Sequence, residues 1–221
     1  MNRYVYFALA LVAIAIFVVL PFLAFGAPIP LDDRLEQKIF YYHVPAAWMM
    51  FIAVFTSGIA SIGYLAKRKE GWDDVASAAA TMAVIYGAIV LTTGPIWARP
   101  RWGFWWAWDV RLTTSLLLWM IFVAYTLVRR FGGAGSERLA AGLALFGMVD
   151  VPLVYFAVNF WQTQHPSNKI ARSMPAGMGG PLLLSFLAYL IMYVLILVVR
   201  VQLNRAERRL RGAEDLALDL E

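Results

Sequence analysis

The stretch PLLLSFLAYLIMYVLILVV at 181–199 runs nineteen residues without a charged side chain, close to the roughly 20 residues that carry an α-helix across the hydrocarbon of a bilayer. Five more apolar runs of comparable length precede it, at about 4–27, 44–66, 75–97, 112–128 and 139–161, with every charge but Asp150 lying between them or at the termini. That is the pattern of membrane spans, not of one large soluble core. Composition agrees: 62% of the 221 residues are hydrophobic and 15% charged, against roughly 45–50% apolar in a soluble domain. The expected fold is all-α, a polytopic membrane protein of six transmembrane helices. No internal repeat or low-complexity tract breaks the chain. It divides into a six-helix domain over 1–200 and a charged, helical cytoplasmic C-terminal tail over 201–221. The first run begins Met-Asn-Arg and ends near Ala24-Phe25-Gly26, so a cleaved signal peptide is the alternative there. Its apolar core is too long for that, and it reads as a helix.

The formal net charge of +5 does not point to nucleic acid, because the basic residues fall in short clusters between apolar runs and in the tail. They read as topology signals. Arg3, Lys67, Arg68, Lys69, Arg129, Arg130, Arg138, Arg200, Arg205, Arg208, Arg209 and Arg211 make twelve on one side; Arg34, Lys38, Arg99, Arg101, Arg111, Lys169 and Arg172 make seven on the other. The excess belongs to the cytoplasm. Both termini are therefore expected inside, and the loops 28–43, 98–111 and 162–180 outside.

Chemistry has few places to reside. There is no cysteine, which excludes disulfides, thiolate metal sites and a self-attached Cys-x-x-Cys-His haem. No Gly-x-x-x-x-Gly-Lys-Ser/Thr phosphate loop occurs. Five of the nine tryptophans crowd between 97 and 108. An interfacial aromatic belt explains some of this, but a belt spreads over all helix ends, whereas these gather in one loop. Read as a short interfacial tryptophan-rich helix in the second outer loop, the segment puts Trp102, Trp105, Trp106 and Asp109 on one face, and Arg101, Phe104, Trp108 and Arg111 on another. One face can meet lipid and the other a planar ligand, with Arg99, Arg101 and Arg111 available to that ligand's carboxylates. Sequence does not decide which face does which.

The only two histidines are His43, at the outer start of the second span, and His165, just past the outer end of the fifth. Each alone reads as an ordinary interfacial histidine. Together they lie on one side of the membrane, at helix ends that can face each other, as two axial ligands of one haem must. A lone zinc ion wants more ligands. Asp150, inside the fifth span, faces the bundle interior by default as a candidate functional residue, though its position nearer the inner end also permits plain solvation. Met174 and Met178 are candidate soft ligands or plain packing residues. Asp109 can fix the tryptophan loop by pairing with Arg111 or by capping the helix that follows.

The run Trp102-Gly103-Phe104-Trp105-Trp106-Ala107-Trp108-Asp109, followed by Arg111-Leu112-Thr113, resembles the tryptophan-rich (WWD) signature of the haem-handling proteins of cytochrome c maturation. Within that superfamily the chain is most similar to the CcmC family. The six spans, His-Val-Pro-Ala-Ala-Trp at 43–48, Gly-Pro-Ile-Trp at 94–97 and Trp-x-Thr-x-His at 161–165 agree with it, whereas the CcmF and CcsA relatives are longer and richer in histidine. The resemblance covers nearly the whole chain up to about Arg200. It implies a protein of the bacterial cytoplasmic (inner) membrane that is not an enzyme. Haem b is held transiently and without a covalent bond at the extracytoplasmic face, with His43 and His165 as axial ligands and Trp102, Trp105, Trp106, Trp108 and Asp109 as the platform. The partners it implies are the haem chaperone CcmE, the small membrane protein CcmD and the ABC-type pair CcmA and CcmB.

Two other readings compete. A membrane b-type cytochrome in quinol electron transfer would commonly place its histidines deep in the bundle, and here both sit at the outer edge. A haem-translocating permease would need a central path, against which the lack of an inverted repeat and the few polar residues in the spans argue weakly.

Overall fold

The computed structural model describes residues 3–29, 35–133, 135–166 and 174–218, with the side chains of 211 and 214–218 outside that description. Arg34, Lys169 and Arg172 of the topology count, and the side chain of Arg211, therefore lie outside the described residues. Among the described residues six helices are long and apolar enough to cross a membrane: α1 (Arg3–Gly26), α2 (Phe40–Lys67), α3 (Glu70–Trp102), α4 (Val110–Phe131), α5 (Ser136–Phe160) and α6 (Gly179–Leu218), with a short 3₁₀ turn at Leu35–Ile39 leading into α2. The protein is an all-α, multi-pass membrane protein.

The short tryptophan helix is the one element that does not form. α3 runs on through Pro95 and Pro100 to Trp102, and Gly103 ends it at φ 86°, a left-handed conformation that glycine adopts without a Cβ penalty. Residues 103–109 then follow an irregular path to α4. The i, i+3, i+4 tryptophan pattern that imitated a helix is therefore split, with Trp102 on the last turn of α3 and the others on a loop.

The helices pack where small residues let them approach. On α3, Ala76, Ala78, Ala79, Ala80 and Ala83 are all buried, as expected where association rests on close packing and not on hydrophobic expulsion from water. Gly87 leaves room for the Trp119 ring, to which a Cβ would stand at 2.4 Å. Polar groups tie the bundle together. Tyr86 donates to the Tyr189 carbonyl at 3.1 Å, Tyr193 to Thr56 Oγ1 at 3.0 Å, Ser57 to the Ala76 carbonyl at 2.9 Å and Trp119 Nε1 to the Val84 carbonyl at 3.0 Å. Each satisfies a group that water cannot reach.

The alternation of the helices gathers the start of α2, the end of α3, the start of α4, the end of α5 and the start of α6 at one end of the bundle. The other end is held by ion pairs. Arg129 meets Asp73 at 2.7 Å and Glu137 at 2.8 Å, while Arg208 on the extension of α6 grips Asp74 at 2.6 Å and Glu70 at 2.9 Å. Residues 201–218 thus continue α6, and Asn204, Arg205 and Arg208 reach α3 at this end.

Candidate functional site

His43 projects from the first turn of α2, and its Nδ1 lies 2.9 Å from Thr93 Oγ1 on α3. The Thr93 hydroxyl gives its own proton to the Ile89 carbonyl at 2.7 Å, so its oxygen is left to accept. Nδ1 of His43 therefore carries the hydrogen, and Nε2 presents a bare lone pair. His165 sits in the turn after α5, with Nδ1 2.9 Å from the Pro166 carbonyl. A carbonyl only accepts, so this imidazole too is protonated on Nδ1 and bare on Nε2. Burial, and then the nearby Arg111 charge, hold the His165 imidazole far below the usual histidine range, at about 3.

The two rings lie 6.4 Å apart between centroids, their planes inclined by 35°. Two imidazoles on opposite sides of one metal, each nitrogen about 2.0–2.1 Å away, put their ring centres roughly 6 Å apart. Among the described residues no group of three or more His, Cys, Asp or Glu side chains is placed to hold a metal ion.

Asp109 builds the His165 turn. Its Oδ1 accepts from the Leu112 amide at 2.9 Å, capping α4. Its Oδ2 accepts from the Thr163 hydroxyl at 2.8 Å and the Gln164 amide at 2.9 Å. Thr163 Oγ1 in turn accepts from the His165 amide at 3.1 Å. The last residue of the tryptophan segment is thus bonded to the turn that carries the second histidine.

Both histidines line a cavity of about 640 Å³ at this end of the bundle, within the ~300–1,000 Å³ of ligand sites. Trp102, Trp105 and Trp106 line it, as do Arg101, Arg111 and Met174. Trp97 joins them, its Nε1 donating to Gln37 Oε1 at 3.2 Å and its ring meeting Trp102 edge to face at 5.3 Å. Trp106 Nε1 is buried and has no hydrogen-bond partner among the described residues, an unsatisfied donor beside the site. Trp108, 78% exposed, and Asp109 are not among the lining residues. Neither is Arg99, which donates to the Gly103 carbonyl. Met178 packs with Ala24, Phe40, Tyr41 and Leu182. Asp150 is buried outside the cavity wall, with one carboxylate oxygen unpartnered among the described residues.

The donor set fits a flat metal-centred ring with anionic groups on its rim. Two imidazoles with bare Nε2 atoms lie close together on one cavity, indole rings lie beside them, and two guanidinium groups line the same cavity. Thr93, Gln37, Thr163 and Gln164 support the site without having stood out in the sequence. Thr163 had a signal, two residues before His165 in Trp-x-Thr-x-His, but nothing in one sequence pairs Thr93 with a histidine fifty positions away.

Fold and site define a class: polytopic α-helical membrane proteins with a paired-imidazole cavity at one end of the bundle. The family model described as Heme exporter protein C matches residues 1–215. Similar proteins include Heme exporter protein C of Bradyrhizobium diazoefficiens, 31% identical over 85% of this chain and 74% of the relative. Heme exporter protein C of Escherichia coli is 33% identical over 80% of this chain and 73% of its own length. A ccmC-like mitochondrial protein of cytochrome c biosynthesis in Arabidopsis thaliana is 30% identical over 80% and 69%. The chain belongs to the Heme exporter protein C family, CcmC.

Proposed function

We propose that this protein catches haem at the extracytoplasmic surface of a bacterial cytoplasmic membrane, between His43 and His165, and yields it to a CcmE-like haem chaperone in cytochrome c maturation. The observation that carries this reading is the close histidine pair, 6.4 Å between ring centres, with each Nδ1 already committed to a protein oxygen. Both nitrogens left over are neutral ligands suited to iron.

The protein's part is to bind and orient. Trp102, Trp105 and Trp106 supply flat surface for the ring, while Arg101 and Arg111 pair with haem carboxylates. Asp109 holds the His165 turn rather than touching the cargo, and Trp108 extends the aromatic edge outward. Haem b is held non-covalently in this reading, and the chain has no cysteine with which to form a thioether. In this reading the chain itself forms no covalent bond to the cargo, the chaperone being the partner that binds haem covalently, and the role is that of a carrier. A cavity at the end of the bundle leaves an edge of the ring within reach of a second protein, as hand-over requires.

The basic residues, twelve against seven, support cytoplasmic termini and an external site. CcmD and the ABC-type pair CcmA and CcmB are the associated membrane partners in this reading. Mixing haem-loaded protein with the purified soluble domain of the chaperone tests it. Haem moves to the chaperone without nucleotide for the transfer itself, and His43→Ala or His165→Ala impairs the movement. Haem that stays in place under every redox condition would refute the hand-over.

A further inference from the structure

α2 and α5 carry the two candidate ligands, His43 on the first turn of α2 and His165 just beyond α5, so any ring held between them lies in the gap between these two helices. Lower down the helices close tightly: a Cβ on Gly58 of α2 would stand 2.6 Å from the Met148 sulfur of α5. Between that contact and the histidines they leave a wholly apolar crevice of about 240 Å³, bounded by Phe51 and Phe55 on α2 and by Val151, Pro152, Tyr155 and Phe156 on α5. Phe55, Tyr155 and Phe156 are 39%, 42% and 46% exposed on spans whose surroundings are lipid. Phe51 and Tyr155 also line the 640 Å³ cavity. Two aromatic side chains are therefore shared walls between the lipid-facing crevice and the site.

We propose that this crevice is a lateral port, through which the cargo slides edge-on from the surrounding leaflet into the space between His43 and His165. The inference rests on the haem reading of the site, and what it adds is the source: the bilayer, not the water outside. Haem suits that path because its broad apolar ring dissolves among acyl chains while its carboxylates stay at headgroup level, the level of Arg101 and Arg111. Phe51 follows His43 by eight residues, about 12 Å along a helix, and half the hydrocarbon thickness is about 15 Å. The port thus opens onto the acyl region of the leaflet on the site's side. Lipid fills a gap between helices at little cost, because apolar surface there is not exposed to water.

The absence of cysteine makes a clean test. Phe55→Cys with Phe156→Cys places the only two thiols at the crevice, on residues that do not line the main cavity. They are bridged with a short bis-methanethiosulfonate reagent, and the protein is reconstituted into vesicles whose bilayer holds haem. The expected result is at least tenfold slower appearance of the two-imidazole haem spectrum in the bridged protein, recovered when a phosphine opens the bridge. Protein loaded before bridging should keep its haem. Val151→Trp, which fills the crevice without chemistry, should slow loading in the same way while leaving retention intact. Equal loading rates in the bridged, opened and tryptophan-filled proteins would overturn the port and leave the site reading standing. If the unbridged protein never acquires a spectrum that depends on His43 and His165, the site reading itself fails and the port falls with it.

Discussion

Replacing Asp109 with alanine should loosen haem without unfolding the bundle, and the size of the effect follows from what the carboxylate holds. Oδ2 accepts from the Thr163 hydroxyl and the Gln164 amide at 2.8 and 2.9 Å, and Thr163 passes the constraint to the His165 amide at 3.1 Å. A hydrogen bond to a charged acceptor contributes about 1.5–3 kcal/mol. Gln164 is exposed, so water replaces part of its bond, and the loss for the pair comes to about 2–3 kcal/mol. At 1.4 kcal/mol per tenfold, haem affinity should fall by roughly 30–150-fold. Alanine also removes the α4 cap, which costs about 1 kcal/mol of stability. Asp109→Asn separates the two effects: its single carbonyl oxygen can cap α4 or hold the turn, but not both, so its affinity should fall between wild type and alanine. The assay is haem release from detergent-solubilised protein to an excess of a soluble haem acceptor. Thr163→Val should speed release as well, and Asp109→Ala combined with Thr163→Val should be less than additive, since both act on one chain of bonds. Release unchanged in Asp109→Ala, or full additivity in the double variant, would refute the linkage.

Other outcomes follow from the same geometry. The His165 imidazole, held at about 3 by burial and the Arg111 charge, should stay a neutral ligand, and the haem spectrum should be flat from roughly pH 5 to 8, where an ordinary histidine titrates near 6.5. Because the folded value lies below the unfolded one, acid works against the fold. The neutral site costs nothing above the unfolded value, and stability is lost progressively as pH falls through it toward the folded one; a spectral midpoint near 6 would contradict this. Arg129→Ala strips Asp73 and Glu137 of their partner and should cost about 2–3 kcal/mol by thermal unfolding in detergent. That variant should leave the haem spectrum as it was, since the network lies at the opposite end of the bundle. Trp106→Phe keeps an aromatic face but removes the unpartnered Nε1 donor, so haem release should speed by about three- to tenfold, the loss of roughly one hydrogen bond. An unchanged rate would mean that the donor meets nothing in the loaded protein.

The spans were legible because length and charge exclusion are properties of single segments: 181–199 needs no partner to be read as membrane-crossing. The histidines were legible because they are the only two, and their helix ends follow from the alternation of spans. The tryptophan segment misled because a spacing of three and four is necessary for a helical face but not sufficient. Gly103 in a left-handed conformation breaks the run after Trp102, and only the first of the four predicted face residues is helical. Asp109 was readable as a cap on α4, since a capping aspartate before an apolar run is a local signal. Its second oxygen, bonded to residues more than fifty positions away, was not. The Thr93 contact that fixes the tautomer of His43, and the crevice between α2 and α5, depend on packing between helices that no single stretch encodes.

The most direct test of the account is the spectrum of the purified protein in oxidised and reduced states, with His43→Ala and His165→Ala alongside. The close pair predicts a low-spin, six-coordinate haem with two imidazole ligands in the unaltered protein, and loss of that signature in each single variant. A two-imidazole spectrum that survives removal of either histidine, or histidines found to act at separate sites, would contradict it.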